Sequence, residues 1–254
     1  MKLTILGSGT AAPLLDRSNA AYLLEAGGLK LLLDSGAGTI RRLLELKVDL
    51  FDIDHIFYTH LHNDHINDLG AIIWSNNYGL KRTKQLNLYG PKGLKGYHKV
   101  LMNELLKPQK LYFNVNVNEL KSSEFGIGNI AVKTFPTRHS STTRSIMYRF
   151  GHKNKTFVYT GDTDYCEEVI EAAKNADVLM AECSTSDNKK VRGHLTPSLA
   201  GRIAAKSNAK CLLMTHFYPE VLRTDIKRQC RREFGGKIIL AKDKMRINMS
   251  EIAK

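Results

Sequence analysis

A chain of 254 residues can bury one large core or two modest ones, and 43% hydrophobic with 25% charged residues is ordinary for a soluble globular protein. No apolar run approaches a membrane span, because Asp or Lys interrupts each one. The formal net charge of +13 favours anionic partners such as nucleotides, RNA or phosphate esters. The basic residues are nonetheless scattered, at Lys81-Arg82-Thr83-Lys84, Lys189-Lys190-Val191-Arg192, Lys227-Arg228 and Arg231-Arg232, and form no dense arm.

In chain order, Met1-Lys2-Leu3-Thr4-Ile5-Leu6 is too short in its apolar part for a signal peptide and reads as a first strand, Lys2–Leu6. Strands are predicted next at Ala21–Glu25 and Lys30–Asp34, with Gly27-Gly28 turning one into the other. A helix over Thr39–Leu46 precedes a strand at His55–Tyr58, and helical spacing returns at Asn67–Tyr78. A strand at Asn87–Tyr89 and a helix over Gly93–Leu106 follow. From Leu106 to Phe125 the Asn-Val alternation predicts an irregular or edge strand. Strands at Ile130–Phe135, Ile146–Phe150 and Thr156–Thr160 come next, the last two joined by a turn over Gly151 to Lys155.

The remainder alternates helices at Cys166–Lys174, Pro197–Ser207 and Thr224–Phe234 with strands at Val178–Glu182, Cys211–Thr215 and Lys237–Ala241. Pro197 after Thr196 is a helix-start signal. Two β-rich halves with helices between and after them suggest two sheets packed together and covered by helices, an α/β chain without linker or repeat. Cys166, Cys183, Cys211 and Cys230 lie far apart with no C-x-x-C pair. They read as buried free thiols in a reducing cytoplasm, which leaves any metal site to His and Asp.

His60-Leu61-His62-Asn63-Asp64-His65 concentrates imidazoles and a carboxylate just after an apolar run, where unpaired ionisable groups would be costly to bury. In extended chain His60 and His62 face one side, and a tight turn at Asn63 brings Asp64 and His65 to a second point. Two such clusters are what a dinuclear site requires. His139, Asp162 and His216 each follow a predicted strand, where loop-borne sites are built.

Together with Asp34 in Leu33-Asp34-Ser35-Gly36, these motifs appear in the order found in the metallo-β-lactamase fold superfamily, which the chain resembles over nearly its whole length. The resemblance implies a four-layer αβ/βα sandwich of two mixed sheets flanked by helices, one domain over residues 1–254, with the site at one edge of the sheets. It assigns His60, His62 and His139 to a first metal, Asp64, His65 and His216 to a second, and Asp162 as the bridge. Asp34 would be a hydrogen-bonding residue behind the ligands, although a turn aspartate before Gly36 reads equally well. Two divalent ions are implied; zinc suits the imidazole-rich set, and carboxylate bridges also accept manganese or iron. Flavin-linked di-iron members typically have Glu at the position of His62, which disfavours an oxygen-reducing reading.

Two features resemble the ribonuclease Z-like branch: the opening Leu6-Gly7-Ser8-Gly9-Thr10-Ala11-Ala12-Pro13, and Glu182 followed by His194 in Gly193-His194-Leu195-Thr196. In that branch the histidine protonates the leaving oxygen and the glutamate orients it. A mechanism follows in which a metal-bridging hydroxide attacks phosphorus, Asp64 orients or deprotonates the water, Arg138 or Arg144 helps take up charge, and His194 acts as acid.

The departure from tRNA 3′-processing members is also informative. Their basic arm lies between the third and fourth motifs, yet two strands and a hairpin fill the interval between His139 and Asp162 here. The continuation Thr215-His216-Phe217-Tyr218-Pro219 also lacks their serine-rich pattern. The expectation is a compact cytoplasmic phosphodiesterase, with no membrane partner and scope for a homodimer, acting on a cyclic phosphate, nucleotide or RNA. The alternatives are hydrolysis of a lactone, thioester or aryl sulfate, a tRNA 3′-processing endonuclease without the arm, and a non-catalytic metal-dependent RNA-binding subunit. Trp74, Tyr78 and Tyr89 read as core or as pocket lining, and residues 76–125 read either as shaping specificity or as an oligomer interface.

Overall fold

The computed structural model describes residues 1–252. Its first three strands, β1 (Lys2–Gly7), β2 (Ala21–Ala26) and β3 (Leu29–Ser35), form an antiparallel meander. Their side chains alternate between two cores: Leu31 and Leu33 face one, and Leu32 the other. Gly27 and Gly28, with φ of 58° and 81°, close the hairpin as a two-residue type I′ turn requires. The parallel strands β4 (Ile53–Phe57), β5 (Leu86–Pro91) and β6 (Val115–Leu120) then follow, each reached through helical crossovers.

The second half repeats this plan. The antiparallel run β7 (Glu124–Ile127), β8 (Ile130–Pro136), β9 (Ile146–His152) and β10 (Lys155–Tyr159) leads into parallel β11 (Val178–Glu182), β12 (Cys211–Thr215) and β13 (Lys237–Leu240). Strand β14 (Arg246–Asn248) returns to pair with β1. The sheets are ordered β14-β1-β2-β3-β4-β5-β6 and β13-β12-β11-β10-β9-β8-β7.

Between the sheets lies a core that includes Leu3, Tyr22, Leu33 and Phe57 from one and Tyr148, Phe150, Phe157 and Leu179 from the other. Phe57 meets Phe150 edge-on, with ring centroids 5.3 Å apart. A separate core places Leu32, Ile56 and Leu88 against the helices Thr39–Glu45 and Leu69–Trp74. Helices Glu167–Ala173 and Pro197–Lys206 cover the other sheet through Val169, Ala172, Ala200 and Ile203. The result is the expected four-layer arrangement.

Several elements differ from the sequence expectation. The helix expected over Asn67–Tyr78 is a single turn, Asn63–Ile66, then Leu69–Trp74, then a π-helical Ser75–Gly79. Buried Asn76 and Asn77 reach backbone carbonyls of Ile72 and Lys110 there, competing with regular helix bonding. The helix over Gly93–Leu106 likewise gives way to a π-helical Leu101–Leu106. The Thr224–Phe234 helix contracts to Ile226–Arg231, because Asp225 caps it by accepting from Arg228 N–H. Thr196 caps Pro197–Lys206 as its sequence predicts, and the Asn-Val alternation forms β6 at a sheet edge. Strands β7 and β14 were not expected.

Candidate metal centre

Strand ends of both sheets meet at one edge. His62 starts the single helical turn Asn63–Ile66, which swings Asp64 and His65 away from His60 and His62 and forms two clusters. In the first, His62 Nδ1 and His139 Nε2 lie 3.0 Å apart, with the His60 ring 4.6 and 4.9 Å from theirs. In the second, His65 Nε2 lies 3.1 Å from His216 Nε2, which lies 3.3 Å from Asp64 Oδ2. Asp162 stands between: Oδ2 is 3.9 Å from His60 Nε2 and 3.8 Å from His139 Nε2, while Oδ1 is 3.4 Å from His65 Nε2.

The outer nitrogen of each imidazole is held from behind. His65 Nδ1 donates to Asp34 Oδ2 at 2.8 Å, and His139 Nδ1 donates to the Gly193 carbonyl at 3.0 Å. His216 Nδ1 pairs with Ser184 Oγ, His60 Nδ1 with Thr59 Oγ1, and His62 Nε2 with Thr143 Oγ1. Fixing one ring nitrogen in this way directs the lone pair of the other into the cluster. Asp34 is more than a turn residue. Fully buried, it also accepts from Thr59 N–H, Thr59 Oγ1 and the Tyr159 hydroxyl. Asp34 and His216 both hold left-handed backbone, at φ 54° and 57°, the kind of strain that clusters at functional sites.

The donor chemistry fits divalent cations. Burial holds the His60 and His62 pKa below the usual histidine value, so both stay neutral and can ligate. Burial would raise Asp64, but the His216 hydrogen bond and His65 outweigh it and hold that carboxyl at about 2. Asp162 is likewise kept ionised against burial, by His216 and His65. His60 Nε2 and Asp162 Oδ1 are buried with no hydrogen-bond partner. Such orphaned atoms cost free energy unless something satisfies them, and a cation between the clusters would do so.

Beside Asp162 stands the expected acid pair. Buried Glu182 sets Oε1 3.0 Å from His194 Nδ1 and accepts from Thr163 N–H, Ser184 N–H and the Ser184 hydroxyl. Burial would lower the His194 pKa, but the Glu182 charge and hydrogen bond, with Asp162 and Asp64, raise it to about 9. Its Nε2 makes no hydrogen bond among the described residues. The expected charge-stabilising arginines sit farther out. Arg138 pairs with Glu168 on the wall of an 860 Å³ cleft shared with His62, His139, Tyr165 and Arg192. Arg144 lines a second cleft of 570 Å³ with Lys92 and Lys95.

Thr59, Ser184, Gly193 and Tyr159 were not singled out from sequence. Thr59 and Gly193 adjoin flagged histidines and Ser184 nearly adjoins Glu182. Tyr159 could be found only by knowing which face of β10 turns toward Asp34.

The family described as "Anti-Pycsar protein Apyc1" matches residues 1–235. The chain belongs to this family. This Apyc1-family chain is similar to Ribonuclease Z of Ignicoccus hospitalis, 29% identical, covering 85% of this chain and 87% of that protein. "Probable metallo-hydrolase YhfI" of Bacillus subtilis is 26% identical over 95% of this chain and 97% of its own length. The crystal structure of that YhfI, a metallo-β-lactamase fold protein, superposes with a TM-score of 0.85 at 24% identity, covering 97% and 98% of the two chains. Human tRNase Z, short form, gives 0.81 at 26% identity and 98% and 99% coverage. The fold of this Apyc1-family chain is thus that of the metallo-β-lactamase superfamily, as its motifs imply.

Proposed function

We propose that this chain is a two-metal phosphodiesterase of ribonuclease Z-like type, a single hydrolase domain acting on a small ester such as a cyclic phosphate or nucleotide. The observation that carries this reading is the Glu182–His194 pair, a buried carboxylate 3.0 Å from an imidazole bordering Asp162. Hydrolysis of a lactone, thioester or aryl sulfate has no need of such a pair, whereas a phosphodiester expels an alkoxide that leaves better when protonated. Relatives named Ribonuclease Z and metallo-hydrolase support the hydrolase class, and the net charge of +13 accords with an anionic substrate.

In this reading His60, His62 and His139 hold one divalent ion, Asp64, His65 and His216 a second, and Asp162 joins them; zinc suits the donors best. Bound there, the ions would activate a water and neutralise phosphoryl charge. Asp64 Oδ1, which makes no hydrogen bond among the described residues, accepts one from the attacking water. His194 gives the proton on Nε2 to the departing oxygen while Glu182 steadies the imidazolium. The water oxygen joins phosphorus as one of its protons passes to Asp64, the bond to the leaving oxygen breaks, and that oxygen departs as a hydroxyl carrying the His194 proton; Asp64 then gives its proton to solvent and His194 regains one from solvent. No arm for gripping tRNA lies between His139 and Asp162: β9, β10 and their turn at Lys153-Asn154 fill the interval.

The test is turnover of zinc-loaded protein on bis-p-nitrophenyl phosphate, a lactone and p-nitrophenyl sulfate. Preference for the lactone or sulfate overturns the proposal. Comparing 2′,3′-cyclic nucleotides with a tRNA bearing a 3′ trailer separates the small-ester reading from RNA processing.

A further inference from the structure

We propose that Tyr218 is a substrate-contacting residue of this centre, its hydroxyl donating a hydrogen bond to a non-bridging oxygen of the phosphodiester whose leaving oxygen His194 protonates. This rests on the phosphodiesterase reading and adds a second donor to the wall that carries His194.

The placement follows from three consecutive residues. His216, at φ 57°, turns the chain sharply as it leaves β12. Phe217 then drives fully into the core, under the Arg17 guanidinium 5.1 Å from its ring, and its N–H donates to the Ser8 carbonyl at 3.1 Å. With Phe217 anchored, Tyr218 must emerge on the site side, and Pro219 opens the next helical turn immediately. The stem of the side chain is thus fixed at both ends.

The Tyr218 ring stands edge-on to His194 and His216, with centroids 6.4 and 6.3 Å away and planes 77° and 86° apart, while the two imidazoles lie nearly parallel at 14°. A tyrosine serving only the core would pair its hydroxyl, as Tyr22, Tyr58, Tyr148 and Tyr159 do. The Tyr218 hydroxyl makes no hydrogen bond among the described residues, and the ring is only half-buried. The carboxylates Asp64, Asp162 and Glu182 crowd this wall and repel an anion, so a phosphodiester seated there gains from every donor aimed at it. A phenol is such a donor at neutral pH and brings no further negative charge.

The experiment compares wild type, Tyr218→Phe and His194→Ala, all zinc-loaded, on bis-p-nitrophenyl phosphate and 2′,3′-cyclic UMP, with metal content, Tm and the calorimetric Kd for inorganic phosphate as further readouts. Tyr218→Phe keeps the ring and removes only the donor. We expect a loss of about 10- to 100-fold in kcat/KM on both substrates, phosphate binding weakened about tenfold, and unchanged metal content and Tm. Wild-type rates with unaltered phosphate affinity overturn the assignment. So does a loss accompanied by loss of metal, which marks a structural role, or a loss confined to the cyclic nucleotide, which places the hydroxyl on the leaving oxygen instead. If wild type cleaves neither diester, the phosphodiesterase reading fails by itself, and an unchanged phosphate Kd in Tyr218→Phe separately rejects the contact.

Discussion

Asp34 Oδ2 and His65 Nδ1 lie 2.8 Å apart, joining the end of β3 to the turn after β4 through two side chains with no solvent exposure. The carboxylate fixes which nitrogen of His65 faces the centre and raises that imidazole's basicity as a ligand. Asp34→Asn keeps the volume but removes the charge and one acceptor. We expect metal affinity at the Asp64/His65/His216 position to fall about 10- to 100-fold, measured by competition with a chromogenic chelator. Unchanged affinity would return Asp34 to a turn residue.

His194→Ala separates proton donation from metal chemistry. Turnover on a diester with a poor alkoxide leaving group should fall far more than on a p-nitrophenyl ester, since p-nitrophenolate needs little proton assistance. Equal losses on both would remove His194 from the acid role.

Stripping divalent ions leaves ionised Asp64 and Asp162 and the orphaned His60 Nε2 without the partner that satisfies them. Zinc at about 1,000 times its Kd would add about 4 kcal/mol to the folded state, or a rise of about 10 °C in Tm for a chain of this size. Calorimetry with and without chelator checks this, and coincident melting curves would count against a preformed centre.

Gly193 is the tightest point behind the first cluster. It has φ of 86°, and a Cβ there would stand 2.2 Å from the His139 carbonyl oxygen. Gly193→Ala must displace His139, whose Nδ1 depends on the Gly193 carbonyl. We expect weaker metal binding at the His60/His62/His139 position and a stability loss of about 1–3 kcal/mol, read from metal stoichiometry and urea unfolding.

Arg82 illustrates how a sequence run can mislead. In sequence it is one of the scattered basic residues of Lys81-Arg82-Thr83-Lys84, yet it is fully buried, bonded to Asp54 and to the carbonyls of Phe51, Lys84 and Gln85, and near the rings of Phe51 and Phe113. Arg82→Met leaves the carbonyls of Phe51, Lys84 and Gln85 without their buried donor, while Asp54 keeps Lys84, and should destabilise the fold by about 1–3 kcal/mol. Turnover per folded molecule should not change, and a selective loss of activity would connect this segment to the centre.

The His/Asp cluster was legible because its residues had to sit just past apolar strand runs, a position that alternation exposes directly in His60, His139, Asp162 and His216. The layer order was legible through the motif order rather than through periodicity. What stayed hidden depends on tertiary contact. The π-helical Ser75–Gly79 follows from where Asn76 and Asn77 find carbonyls. Strand β14 is three residues long and exists because β1 offers it an edge. The shared plan of the two sheets leaves no trace as a sequence repeat, since two different hydrophobic sets fill equivalent faces.

That plan bears on the order of events in folding. Asp34 and the His60–His65 segment belong to one sheet, while His139, Asp162, Glu182 and His216 belong to the other. In the proposed assignment His60 and His62 wait for His139, which follows β8, and Asp64 and His65 wait for His216, which follows β12, so each ion pocket would be completed only once the two sheets have met. Ion capture at these pockets is therefore expected to follow docking of the sheets and not to nucleate the fold. It would act after the sheets have met, slowing their separation without hastening their assembly.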